Sequence, residues 1–279
     1  MKLRRIKRDS EFQLKKQKKN KKNKRIIKSI RRVFLFVLVI VSLSMFALSS
    51  FFNIKKIVVY GNSKLDSNSV ISSTKIQIGS NGFKRVGNKP LNFFLFRYGN
   101  EEKSILKSFS YAKNAKVTFY MPDTVCIDIQ ERKPLFYIEH GGAFLLIDED
   151  GVALEEANKP FGKTLFVKGI SFKNYVIGQA LKAEDNDYTQ YVKKLLAEIP
   201  KNDESNKLKL MPLITQFDLS NPFKIKITLD KRITADVGDL KEIAYRLDFI
   251  RNIYFNKLKK NDKGNLEYND DGKYNFKSN

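Results

Sequence analysis

Tryptophan is absent from this 279-residue chain, and cysteine and histidine occur once each, as Cys126 and His140. One cysteine excludes a disulfide within the chain, so the folded part must hold itself by packing. One Cys and one His are too few for a zinc site of the usual kind. Both fall in strand or turn sequence, which speaks against a Cys–His nucleophile pair. Cys126 alternates with Val125 and Ile127 and is expected to pack inward. Two apparent ligand loops fail on their spacing. The stretch from Gly82 to Lys89 imitates a phosphate loop, but Asn88 separates Gly87 from Lys89, and Pro90 stands where Ser or Thr should open a helix. Asp148-Glu149-Asp150-Gly151 begins like a calcium loop without the third oxygen ligand or the distal glutamate. No pair of carboxylates is singled out for acid–base work. The expectation is therefore no catalytic residue, no cofactor and no metal.

What is present is one long uncharged stretch. No charged residue occurs from Val33 through Ile54, and Val33 to Phe52 reads VFLFVLVIVSLSMFALSSFF. At ~1.5 Å per residue such a helix crosses a hydrocarbon core of roughly 30 Å. A helix satisfies its own backbone groups in lipid, so residues 33–53 are expected to form a transmembrane helix.

Charge orients it. Met1 to Arg32 holds 16 Lys and Arg against Asp9 and Glu11. Basic residues next to a membrane helix stay on the cytoplasmic side. The expected arrangement is a cytoplasmic basic tail over 1–32, without a hydrophobic period and disordered, and exported domains from residue 54 onward. A cleaved secretory signal is the rival, because Ala47-Leu48-Ser49 resembles a small-x-small cleavage site. The long basic leader and the length of the run favour an uncleaved helix. The leader carries +14 of the chain's +23, so most of the basic excess is a tail beside a membrane. Such a tail is drawn to anionic lipid by about 1 kcal/mol per charge, and a nucleic-acid partner is not expected.

Beyond the membrane, residues 54–60 read as a strand closed by Gly61-Asn62, and Asp66 to Ser69 offers caps for a short helix. Gly79 to Gly99, with four glycines and Pro90, reads as a long loop containing an apolar docking segment. A helix is expected over 101–109, then strands over 115–120 and 125–129 joined by Met121-Pro122-Asp123-Thr124. The order over 54–132 is thus β-α-α-β-β. From Pro134 the pattern changes to consecutive strands. A helix is expected over about 187–199, three strands over 213–237, and a second helix opened by a capping box at Asp239-Leu240-Lys241-Glu242. A terminal hairpin over 265–276 closes a mostly antiparallel β domain. The class is α+β.

Three of these pieces resemble the bacterial cell-division family FtsQ/DivIB. One is the strand ending in Gly61-Asn62. The second is Ala115-x-Val117 leading to Pro122-x-Thr-Val125-x-Ile127-x-Ile129-x-Glu131-Arg132-x-Pro134. The third is Leu146-Ile147-Asp148-x-x-Gly151-Val152. The resemblance implies a basic tail, one membrane pass, a POTRA domain over 54–132, a β domain over 133–260, and terminal strands over 261–279. It implies no catalytic activity. The implied role is that of a divisome scaffold at the septum that binds small bitopic coiled-coil proteins (FtsB/DivIC-like and FtsL-like) and helps regulate septal wall synthesis. The implied contact lies on the last strands, at Leu266, Tyr268, Tyr274 and Phe276. Leu266 and Tyr268 fit the family's pattern there, whereas the charged positions around them do not. A terminal edge strand can take a partner by strand addition, and these aromatics are expected either to anchor the partner or to close the domain's own core. The rival functions are a membrane-anchored POTRA protein of secretion or envelope assembly, and a wall enzyme, for which no catalytic constellation is found.

Overall fold

A computed structural model describes residues 28–183, 188–269 and 271–278. The basic tail as far as residue 27 lies outside the described residues. The chain divides into two compact units, one of residues up to 58, 75–100 and 116–127, the other of 59–74, 101–115 and 128 onward.

In the first unit, helix α1 spans Lys28–Ala47, 20 residues with a mean hydropathy of 2.2. It is long and apolar enough to cross a bilayer. It ends about five residues before Phe52, the last residue of the apolar run, because Ser49 takes an extended conformation and Ser50–Phe52 continue as a 3-10 turn. The side chain of Asn81 joins two helix ends. Its amide donates to the carbonyls of Ala47 and Ser49 at 2.9 and 3.0 Å, while its oxygen accepts the Phe83 N–H that opens a 3-10 turn over Gly82–Arg85. Phe52 is buried edge-on against Phe83, which also meets Phe96 and Phe119. The fully buried Tyr98 donates its hydroxyl to the Gly82 carbonyl. Between these anchors lies a short helix over Pro90–Phe94, so residues 79–99 are not the unstructured long loop expected. The aromatic side chains pin the glycine-rich chain at both ends.

Three strands run from one unit into the other: β1 (Lys56–Tyr60), β2 (Ala112–Tyr120) and β3 (Thr124–Glu131), in the sheet order β1-β3-β2. Between β1 and β2 come α2 (Ser67–Ser73), α3 (Pro90–Phe94) and α4 (Gly99–Ser108). The expected β-α-α-β-β order is present with α3 as an addition. Asp66 caps α2 by accepting the Ser69 N–H at 2.8 Å. Cys126 does not pack inward with its neighbours. Val125, Ile127 and Ile129 are buried, and Cys126, one residue out of step with them, is half-buried on the opposite face, as a period of two demands.

The second unit holds a nine-stranded sheet. Its strands are β4 (Pro134–His140), β5 (Ala143–Asp148), β6 (Ala153–Ala157), β7 (Leu165–Lys168), β8 (Ile214–Asp218), β9 (Ile225–Leu229), β10 (Ile233–Gly238), β11 (Gly264–Tyr268) and β12 (Tyr274–Ser278). The spatial order is β12-β11-β10-β9-β8-β7-β4-β5-β6. Neighbours are antiparallel except β10/β11, β4/β7 and β7/β8. Helices α5 (Tyr188–Glu204) and α6 (Ile243–Asn256) cover one face, with Val192, Leu195, Ile199, Leu247 and Ile250 in the core.

Both helices correct the expected boundaries. α5 runs through Pro200 to Glu204 instead of stopping at Ile199. There Asp203 accepts the N–H groups of Leu210 and Met211 and pairs with Arg251 of α6. The capping box at Asp239 does not form. Asp239 accepts the Lys241 N–H, Leu240 takes φ +66°, and α6 starts at Ile243 with no side-chain cap.

Candidate partner-binding edge

Helix α6 crosses over so that β11 enters parallel to β10, with Leu266 opposite Ala235. The chain then reverses. Asn269 donates its N–H to the Lys273 carbonyl at 2.9 Å, and Gly272, at φ +77°, donates to the Asn269 carbonyl. That closes an antiparallel hairpin in which Leu266 faces Phe276 and Tyr268 faces Tyr274. All four residues expected at the contact therefore share one face of the hairpin, since they occupy alternate positions of paired strands.

That face is turned toward the domain's own core. Leu266 is 1% exposed, and Tyr274 and Phe276 are half-buried against the same cluster. Tyr274 donates its hydroxyl to the Asp236 carbonyl, and its ring meets Tyr268 edge-on at 5.1 Å and Phe249 at 6.5 Å. Burial pushes the Tyr274 hydroxyl well above the ordinary tyrosine range. The Arg246 guanidinium lies over the Tyr268 ring at 4.1 Å and stands 3.8 Å from Asp236. The other face of the hairpin is polar, with Lys277 and Glu267 paired.

Hydrogen bonding fixes what remains available at the rim. With Asn269 and Lys273 bonded across the turn, the bonded pairs continue at Glu267/Asn275 and Asn265/Lys277. Tyr274 and Phe276 then direct their backbone N–H and C=O away from β11. Because β12 is the last strand of the sheet order, those groups form its outer edge. Beside the hairpin, an open groove of about 730 Å³ is lined by Leu240 to Tyr245, by Lys194 and Glu198 of α5, and by Tyr268. Sequence reasoning did not find Arg246, Tyr245 or Phe249. They lie on a helix whose periodicity marks only its buried stripe.

The motif residues upstream form a second connected group. A Cβ on Gly61, which sits at φ +76°, would stand 2.1 Å from the Ile129 carbonyl oxygen, so the turn admits only glycine. Asn62 donates to the Leu65 carbonyl and to Ser67 Oγ. The Glu131 carboxylate accepts the N–H groups of Lys64 and Leu65. Its burial works to raise the carboxyl pKa, but the N–H groups of Leu65, Lys64 and Ser63 outweigh that and hold it below the ordinary glutamate range. Arg132 donates to Asp148 at 2.6 Å and to Asp150 at 3.1 Å. Asp148 in turn accepts the N–H groups of Asp150 and Val152 around Gly151. Pro134 opens β4 opposite Asp148. Pro122 lies apart from this group, in the β2–β3 turn. Nearby, Lys64 Nζ bridges Tyr111 and Glu155, a contact that no spacing in the sequence announces. Among the described residues, no group of three or more His, Cys, Asp and Glu side chains gathers to hold a metal ion.

The family model described as "POTRA domain, FtsQ-type" matches residues 52–132. The chain is 28% identical to the cell division protein DivIB of Clostridium acetobutylicum over 218 residues, covering 78% of this chain and 79% of that protein. It is 28% identical to DivIB of Clostridium botulinum, covering 80% of each, and 26% identical to DivIB of Enterococcus faecalis, covering 72% of this chain and 48% of that protein. The POTRA match and the similarity to DivIB proteins over about 80% of the chain support the FtsQ/DivIB family. With one N-terminal apolar helix, an FtsQ-type POTRA domain and these DivIB relatives, the chain is a single-pass membrane protein of cell division. The matched POTRA span ends at Arg132, and Glu131 and Arg132 carry the contacts just described on either side of that point.

Proposed function

We propose that this FtsQ/DivIB protein is a non-catalytic scaffold whose outermost strand, β12, receives an extended segment of a small bitopic coiled-coil division protein of the DivIC or FtsL kind. Residues 54–132 form its POTRA domain, 133–260 its β domain and 261–279 the terminal docking strands. The basic tail is cytoplasmic and in contact with anionic lipid. The exported part works at the septum, where it helps regulate wall synthesis.

One observation carries the reading: the outward backbone groups of Tyr274 and Phe276 at the end of the sheet. A strand edge of this kind is a template for another chain, and main-chain hydrogen bonds supply affinity there. The side chains of Leu266 and Phe276 serve the domain's own packing and hold the edge in place. The partner thus reads mainly backbone.

Two variants of one position test this. Phe276→Ala and Phe276→Pro both remove the ring, but only proline also removes the outward N–H, at an edge position where proline is tolerated. Full-length protein is titrated with the DivIC-like partner of the same cell. One lost hydrogen bond of about 1 kcal/mol corresponds to several-fold to tenfold weaker binding for proline than for alanine. Equal binding by the two variants would remove strand addition at β12 from consideration.

A further inference from the structure

The first unit carries a segment that is amphipathic inside out. In α3 the polar residue is the buried one. Asn92 is 9% exposed, whereas Leu91, Phe93, Phe94 and Leu95 are 65, 61, 76 and 47% exposed. The turn is held in this sense from within. The Asn92 carbonyl accepts the Arg97 N–H at 2.8 Å, and its amide packs so closely on Gly99 that a Cβ there would stand 2.3 Å away. Four large apolar side chains are thereby aimed outward from a rigid turn.

The position of α3 says what covers them. From Val33, about 22 Å of helix to Ala47 and a further turn to Phe52 bring the chain to the far side of a hydrocarbon core of roughly 30 Å. The residues holding that far end belong to the pinned segment that contains α3. Asn81 binds the carbonyls of Ala47 and Ser49, Phe83 meets Phe52 at 5.0 Å, and Phe96, two residues after α3, meets Phe83 at 5.8 Å. Charge agrees. The exported stretches of this unit (53–58, 75–100 and 116–127) hold eight Lys and Arg against Asp123 alone, while the rest of the exported chain is close to balanced, with 29 basic and 27 acidic residues. The exposed Lys84 and Lys89 flank α3 on its N-terminal side.

We propose that α3 is a second, monotopic membrane contact. Leu91, Phe93, Phe94 and Leu95 sit in the headgroup–acyl boundary of the leaflet in which α1 ends, and Lys84 and Lys89 reach its anionic headgroups. Interfacial segments bind by this combination of apolar area and basic charge. The inference rests on α1 crossing the bilayer. It makes the protein's grip on the membrane two-point, one span and one surface wedge joined through Asn81 and the Phe52–Phe83–Phe96 contacts.

The absence of tryptophan makes the test direct, because any introduced indole is the only one. Full-length Phe94→Trp is reconstituted in vesicles of phosphatidylglycerol and phosphatidylcholine, with Phe93→Trp as an independent position and Leu38→Trp as a reference inside α1. The expected result is blue-shifted emission from the α3 reporters. They are quenched severalfold more by lipid brominated near the headgroup than by lipid brominated at the bilayer centre, and they are shielded from aqueous acrylamide. Leu38→Trp is quenched by the deep bromines. If Leu38→Trp is quenched while the α3 reporters answer only to acrylamide, α1 spans the bilayer and the second contact does not exist. Shielding of the α3 reporters that develops only when the DivIC-like protein is added would overturn the lipid contact in favour of a protein one. If Leu38→Trp escapes the brominated lipids, the membrane span fails and the proposal fails with it.

Discussion

The side-chain amide of Asn81 holds the carbonyl of Ala47, the last residue of α1, at 2.9 Å across 34 residues of sequence. A helix leaves its last carbonyls without partners inside the helix, and such groups need a cap wherever water is scarce. Asn81→Ala removes the cap from Ala47 and Ser49 and at the same time the acceptor for the Phe83 N–H. The expected cost is about 1–3 kcal/mol. Hydrogen exchange of the reconstituted protein should quicken at Phe52 and Asn53 while the middle of α1 stays protected. Unchanged exchange at those two amides would show that the membrane helix ends without help from residue 81.

Glu131 gives a pH dependence whose sign follows from its setting. Its folded pKa lies below the ordinary value of 4.5 because backbone N–H groups outweigh the effect of burial. The stabilisation is therefore fully present above about pH 4.5 and is lost as the pH falls through the folded value. Glu131→Gln should lower the melting temperature at neutral pH and flatten its fall under acid. Parallel melting curves for the two proteins between pH 7 and pH 3 would contradict this.

Gly61→Ala places a methyl group against the Ile129 carbonyl oxygen in a left-handed backbone. Backbone strain alone costs of order 1–3 kcal/mol, and the overlap adds to it. Equilibrium denaturation of the variant should show a clear loss of stability. A neutral result would mean that the turn can move away from β3 without penalty.

Arg251 is committed to four partners. Its guanidinium reaches Asp203, Asp248, Asn202 and the Leu208 carbonyl, and its side chain and that of Asp203 are 6% and 7% exposed. Burial pushes the Asp203 carboxyl up, but the N–H groups of Leu210 and Met211, together with Arg251, bring it below the ordinary range. Arg251→Ala leaves that carboxylate without its cation, at an expected cost of about 3–5 kcal/mol. The deficit relative to the native protein should shrink as the pH falls toward 4, because the stranded carboxyl can then take a proton. A deficit independent of pH would assign the loss to packing alone.

Elements with a strong local period were legible in the sequence: the uncharged membrane run, the alternating strands from Lys56 to Glu131, the apolar stripe of α5 and the terminal hairpin. Errors occurred where a side chain served a distant partner. Asp239 has capping-box spacing, yet it closes a tight turn on Lys241 because Leu240 adopts a left-handed backbone. α5 continues past Pro200 because Asp203 is needed for Arg251, 48 residues away. The glycine-rich stretch before Gly99 reads as loop because glycine signals freedom, whereas Tyr98 and Phe83 remove that freedom from outside. At the candidate edge, the aromatic pattern marked the hairpin but could not say that its face looks inward. That depends on α6 crossing over to set β11 beside β10.

The same crossover sets an order of events during synthesis. Leu266 completes a core whose other walls, from Phe136 to Tyr254, leave the ribosome first. Until β11 arrives, β10 is itself a bare edge beside unfilled apolar space, a combination that invites aggregation. The proposed docking edge and completion of the domain thus come from the same few residues. A nascent chain that has not finished folding has no β12 edge to offer, so on the proposed reading an immature copy could not take a partner strand.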